Sequence, residues 1–192
     1  MRARTVLLSL AAAGALLAAC GGGGPARPTP TPTPSPDSGE GTPRPSACPV
    51  IGGQRSQGLE SSVTLDGNRF QFTLGEPISM TLSVTNCGDD PVRRFYRDSQ
   101  RYDFIVQEAE DEEVGDEVWR WSADRVFAQV LGEETFGPGE TVTYTEVWNQ
   151  DSSHGQQVVP GRYHMLALDI GCEDEALSRC RFGPGIFIDL LP

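Results

Sequence analysis

The chain has 192 residues, a formal net charge of -12 and only arginine among its fifteen basic residues. That balance leaves no basic face for phosphate and argues against a nucleic-acid partner. With 38% hydrophobic residues, and a first quarter that reads as targeting and tether, the rest suffices for one domain with a single modest core.

The N-terminus, MRARTVLLSLAAAGALLAAC, places Arg2 and Arg4 ahead of an apolar run over residues 6–17. The run is too short to span a bilayer and predicts an export signal over residues 1–19. Its end, Leu17-Ala18-Ala19-Cys20, resembles the bacterial lipobox, which makes Cys20 the lipidated first residue of an extracytoplasmic protein anchored to the cell membrane or outer membrane. Residues 20–57 read as a linker. The repeat PTPTPTPSP disfavours helix and packed strand alike. In polyproline II, the twenty or so proline-rich residues of the linker would reach roughly 60 Å.

A domain is expected over residues 58–192. Strand-like runs follow in order: RFQFTL, PISMTLSVT, RYDFIV, DEVWRW, TVTYTEVW, RYHMLALDI and GIFIDLL. In the second, Ile78, Met80, Leu82 and Val84 alternate with Ser79, Thr81, Ser83 and Thr85, the pattern of a half-buried strand. The clusters DGN, NCGDDP, GPGE and VVPG supply turns. A helical turn or two around residues 122–131 is the only departure from strand periodicity. Short strands between turns predict an all-β, antiparallel sandwich, and Pro160-Gly161-Arg162-Tyr163 has the form of a tyrosine corner.

In EVWRWS, extended geometry puts Trp119 and Trp121 on one face and Val118 and Arg120 on the other. Tyr102, Phe104 and Val106 form a matching set on the preceding strand. A hairpin through the acidic stretch EAEDEEVGDE, read as a solvated tip, would bring the two sets together. The tryptophans are expected to pack into the sheet. The competing arrangement is an exposed aromatic platform edged by Arg120, which makes Tyr102, Trp119, Arg120 and Trp121 the binding candidates.

Cys48, Cys87, Cys172 and Cys180 are even in number and suit an oxidising compartment. Three pairings are possible. The favoured one joins Cys172 to Cys180 across a short acidic loop and, by elimination, Cys48 to Cys87. No catalytic constellation emerges. His154 and His164 have no nucleophile context such as GxSxG, the acidic stretches lack EF-hand spacing, and the glycines after Cys20 precede proline rather than a helix. Neither enzyme activity, metal nor cofactor is expected.

The series EPISMTLSVTN, PVRRFYRDSQRYDFIV, DEVWRWSADRVFAQ, FGPGETVTY and PGRYHM resembles the BsuPI family, the intracellular proteinase inhibitor domain. The resemblance covers most of residues 72–168. Its most specific elements are Tyr102-Asp103-Phe104, the tryptophan pair, Phe127 with Gln129, and Pro138-Gly139-Glu140. It implies an immunoglobulin-like sandwich and binding to a serine proteinase. Export, the cysteines and the acidic stretch set this chain apart from that family. A non-enzymatic protein-binding domain is the expected function, with proteinase inhibition as its family-derived form. The alternatives are an assembly module of a cell-envelope complex and a carbohydrate-binding module. An exposed, rigid loop would favour inhibition, and a broad apolar patch assembly.

Replacing Cys20 by serine should abolish lipid labelling and release the protein from the membrane fraction; attachment unchanged in Cys20→Ser removes the lipobox assignment.

Overall fold

The computed structural model describes Cys48 and residues 53–192. The expected signal peptide, Cys20 and most of the linker lie outside the described residues. Twelve strands follow in order: β1 (Gln54–Ser56), β2 (Leu59–Leu65), β3 (Gln71–Thr73), β4 (Ile78–Asn86), β5 (Val92–Tyr96), β6 (Tyr102–Glu110), β7 (Glu113–Arg120), β8 (Gly132–Phe136), β9 (Thr141–Trp148), β10 (Gly161–Cys172), β11 (Cys180–Phe182) and β12 (Gly185–Leu191). They form a β-sandwich. One sheet has the order β1-β2-β4-β9, and the other is built around β10.

Core formation follows from side-chain alternation. Ile78, Met80, Leu82 and Val84 on β4 are all at most 1% exposed. They meet Phe104, Val106, Tyr163, Met165 and Ile188 of the second sheet in one cluster. The outward hydroxyls of β4 pair across to β9, with Oγ1 atoms 2.9 Å apart in both Thr81–Thr145 and Thr85–Thr141. The tyrosine corner is formed: Tyr163 Oη donates to the Val159 carbonyl at 2.7 Å.

β10 is longer than any of its neighbours, so each edge changes partner along its length. On one edge β12 pairs with residues 161–166, and β11 takes over at Asp169 and Cys172. On the other, β6 pairs with residues 162–169 before β5 meets Cys172. The exchange from β11 to β12 runs through Gly183-Pro184-Gly185, where Ala167 N donates to Pro184 O at 3.0 Å. A Cβ on Gly183 would fall 1.8 Å from the Ala167 carbonyl oxygen, and one on Gly185 would fall 2.0 Å from His164 Nε2. Only glycine allows so close an approach.

One pairing departs from the antiparallel expectation, since β3 runs parallel to β12. The chain leaves β2 through a short 3-10 turn at Asp66–Asn68, crosses to the second sheet, covers the edge of β12 and returns to the first sheet as β4. The acidic stretch also differs from the expected loop. β6 continues to Glu110 and β7 begins at Glu113, leaving only Asp111 and Glu112 in the turn, with Asp111 at φ 54°. A hairpin arm needs paired backbone rather than apolar side chains, so the exposed carboxylates are compatible with strand. The expected helical turns at 122–131 amount to the bonds Ala123 N to Arg120 O and Arg125 N to Ser122 O, both 3.2 Å, followed by irregular chain.

Both favoured disulfides are formed, Cys48–Cys87 and Cys172–Cys180. The second links residues directly opposite each other on β10 and β11. Near that end of the core, Arg94 Nε lies 3.0 Å from Asp169 Oδ2, both side chains at most 2% exposed. Burial pushes the Asp169 carboxyl above its ordinary range, against the pull of Arg94 and the Gly171 amide.

Gly183→Ala should destabilise the domain by at least about 3 kcal/mol, because its Cβ would overlap the β10 backbone; urea denaturation checks this, and an unchanged midpoint would show that the β11–β12 exchange tolerates a side chain.

Candidate functional site

The β6–β7 hairpin carries Tyr102, Trp119 and Arg120, with Trp121 directly after β7, but its alternation is interrupted. Val106 pairs with Trp119 while Gln107 pairs with Glu117, leaving Val118 as an extra, bulged residue. Trp119 therefore lies opposite the buried Val106, and Arg120 opposite Ile105. The open edge of β7 is covered by the chain that follows β9: Ser153 N donates to Val118 O at 2.8 Å, and Arg120 N donates to Ser153 Oγ at 3.1 Å. That covering segment is fastened by Gln150, fully buried, whose side chain accepts from Gly75 N and donates to the carbonyls of Thr73 and Glu76.

Trp119 and Trp121 are half-buried and pack against the core. The Trp119 ring lies 6.4 Å from that of Trp148. Trp121 belongs to a column of rings: Phe127 at 5.9 Å on one side, Tyr102 at 4.3 Å on the other, and Tyr144 stacked 4.4 Å beyond Tyr102. The column crosses from the chain after β7 to β9 of the opposite sheet. Tyr102 Oη donates to Glu146 Oε1 at 2.5 Å, and burial together with that carboxylate raises the Tyr102 phenol above its ordinary value. Burial, aided by Glu134, pushes the Tyr144 phenol up to about 12. Among the described residues the buried Trp121 Nε1 has no hydrogen-bond partner.

Arg120 points to the other face, as alternation predicts, but it is a brace rather than an open cation. Its Nη1 donates to Asp103 Oδ2 at 2.8 Å, and its Nε and Nη2 donate to both oxygens of Glu117 at 3.0 and 2.6 Å. Asp103, 3% exposed, also accepts from the Ser122 hydroxyl at 2.8 Å and the Ser122 amide at 3.3 Å. The start of the β7–β8 connection is thereby tied down. A shallow groove of about 470 Å³ lies beside it, lined by Trp119, Trp121, Asp124, Arg125, Glu146 and Ser153 among others. Both indoles are half-buried against the core, which weakens the best support for a carbohydrate-binding module.

Beyond the groove the connection projects into solvent, a feature that the expected helical turns did not anticipate. Val126 is 99% exposed, Val130 65% and Leu131 76%. The segment is anchored at two points, Arg125 and Ala128. The Arg125 guanidinium sits 4.1 Å from the centre of the Trp121 ring, and its Nε donates to Trp121 O at 3.1 Å. Ala128 is held twice by Ser99: its carbonyl accepts from Ser99 N at 3.0 Å, and its amide donates to Ser99 Oγ at 2.9 Å. The short apolar run offered no alternation from which its exposure could be read.

The histidines do not converge on a nucleophile. His164 packs against Phe187 at 4.8 Å with burial lowering its pKa, and His154 lies in an exposed turn. Ligand-type atoms of Cys48, Glu60 and Cys87 lie within 4.8 Å of one another, but both sulfurs are in a disulfide and have no thiolate to offer a metal.

The model of the BsuPI family, intracellular proteinase inhibitor, matches residues 65–169. The chain belongs to the BsuPI family. The BsuPI match begins at the end of β2 and runs into β10, so it contains the whole hairpin, the whole aromatic column and the projecting connection. No curated protein matches the chain in sequence. Similar solved structures include the sporulation control protein Spo0M from Bacillus subtilis, 11% identical with a TM-score of 0.44 over 71% of this chain and 51% of that one. The alkylpurine DNA glycosylase AlkC from Pseudomonas fluorescens is 11% identical with a TM-score of 0.41, over 70% of this chain and 31% of that one. The β-glucosidase EmGH1 from Erythrobacter marinus is 12% identical with a TM-score of 0.38, over 69% of this chain and 15% of that one. The chain spans about half of the length of the first of these proteins and less of the other two.

Trp121→Ala should cost about 3 kcal/mol of stability, within the range for truncating a packed aromatic; chemical denaturation measures it, and a melting temperature equal to that of the unaltered protein would show that the column does not support the fold.

Proposed function

We propose that this protein is a proteinase inhibitor that acts outside the cytoplasm, carried on a lipid anchor at Cys20 and a proline-rich linker. The observation that carries the reading is the family match over a sandwich whose β7–β8 connection is exposed and anchored at Arg125 and Ala128. A proteinase cleft takes an extended segment, and a segment already held in place loses little conformational freedom on entering it. Membership of an inhibitor family supports a proteinase as partner, while the signal-like N-terminus and Cys20 support an encounter at the membrane surface. An apolar patch broad enough for assembly would favour the envelope-module alternative. The exposed valines and leucine of the connection instead lie along one narrow segment.

Full-length protein in detergent, titrated against subtilisin, elastase, chymotrypsin and trypsin, should reduce the activity of at least one of them to a stoichiometric end point. Undiminished activity of all four at micromolar protein counts against the inhibitor reading.

A further inference from the structure

The geometry points to Val126 as the residue that enters the primary specificity pocket of the target, and so to a serine proteinase whose pocket accepts a β-branched aliphatic side chain. The inference rests on the inhibitor reading above and adds the contact residue and the class of target.

Exposure and restraint change places from one residue to the next across this segment. The Arg125 side chain is 49% exposed and committed to Trp121 by a cation–π contact and a hydrogen bond. Phe127 is half-buried and turned back against the Trp121 ring. Ala128 is pinned at both its amide and its carbonyl by Ser99. Between these restraints Val126 stands at 99% exposure. Among the described residues neither its amide nor its carbonyl makes a hydrogen bond, which leaves both free to pair with the edge of a proteinase cleft.

An apolar side chain held in water on a restrained backbone is poised for burial in a pocket. Burying valine contributes binding energy through apolar area, and the surrounding anchors have already reduced the ordering cost. The side chain also selects the target. Trypsin reads its substrate through a buried aspartate, chymotrypsin through a deep apolar slot, and elastase through a small pocket. Valine suits the small pocket. Arg125 is the residue a trypsin-like enzyme would require, but inserting it would break both of its contacts with Trp121.

The test uses full-length protein in detergent, with pancreatic elastase and trypsin as the probe enzymes. The unaltered protein should inhibit elastase. Val126→Asp should weaken that inhibition at least about 30-fold, as expected for a central contact residue, with an unchanged melting temperature. Val126→Arg should exchange elastase inhibition for trypsin inhibition, whereas Arg125→Gln should leave the elastase inhibition constant within about threefold. Inhibition of elastase that survives Val126→Asp would overturn the contact assignment while leaving the inhibitor reading intact. Inhibition of trypsin lost in Arg125→Gln would transfer the contact to Arg125. Failure of the unaltered protein against elastase, trypsin, chymotrypsin and subtilisin alike would overturn both readings.

Discussion

The architecture depends on keeping both edges of β10 hydrogen-bonded along twelve residues with neighbours that are all shorter. A buried strand cannot leave its amides and carbonyls unpaired, so each edge is shared between two strands in succession. That constraint explains the glycines at 183 and 185, which let the chain cross closely over β10 between β11 and β12. It also explains why β5 can diverge with β8 while β6 carries β7 away from the other part of the same strand. The forked second sheet separates the two ends of the β7–β8 connection, and the connection must bridge from one branch to the other. Its projection follows from the division of the sheet.

The aromatic column makes that projection compatible with a fixed conformation. Tyr102 and Tyr144 bring the two sheets together, and Trp121 extends the stack to Phe127 in the connection itself. Aromatic pairs at these separations contribute about 0.5–1.5 kcal/mol each beyond the area they bury. On the opposite face, Asp103 gathers Arg120 and Ser122, so the chain leaves β7 between an apolar brace and a polar one. The question of whether the tryptophans belong to the core or to a surface therefore has a physical resolution. Their inner faces complete the packing, and what they hold in place is the exposed segment beyond them.

Strands with regular alternation were legible in the sequence: the buried side of β4, the Tyr102-Phe104-Val106 set and the full extent of β9 and β12 all agree with the structure. β5 and β8 were not, because VRRFY and GEETF carry charges where the pattern requires apolar residues. Their pairing is nonetheless sound. Arg94 is buried on Asp169, while Arg93 meets Glu133 and Arg101 meets Glu134 across exposed or half-exposed positions. Such partners lie far apart in the chain, most of them on strands without apolar alternation, so no local pattern could reveal them. The bulge at Val118 was hidden for the same reason, since a one-residue excess appears only when two strands are set side by side. Of the candidate site, sequence periodicity placed Arg120 opposite the tryptophans but had no means of assigning its carboxylate partners.

The two disulfides fit this division of labour. Cys172–Cys180 closes the end of β10 where β11 has just replaced β12, and Cys48–Cys87 fastens the chain preceding β1 to the end of β4. Bridges closing loops of these sizes stabilise folded states by about 2–4 kcal/mol, chiefly by restricting the unfolded chain. Neither lies on the β7–β8 connection, so they can stabilise the sandwich without altering the segment that it presents. For the proposed inhibitor outside the cytoplasm the distinction has a physical consequence. Resistance to proteolysis depends on how rarely the framework opens, whereas fit to a proteinase depends on the restraint of one exposed segment. The disulfides act on the first of these, and Trp121 with Ser99 on the second.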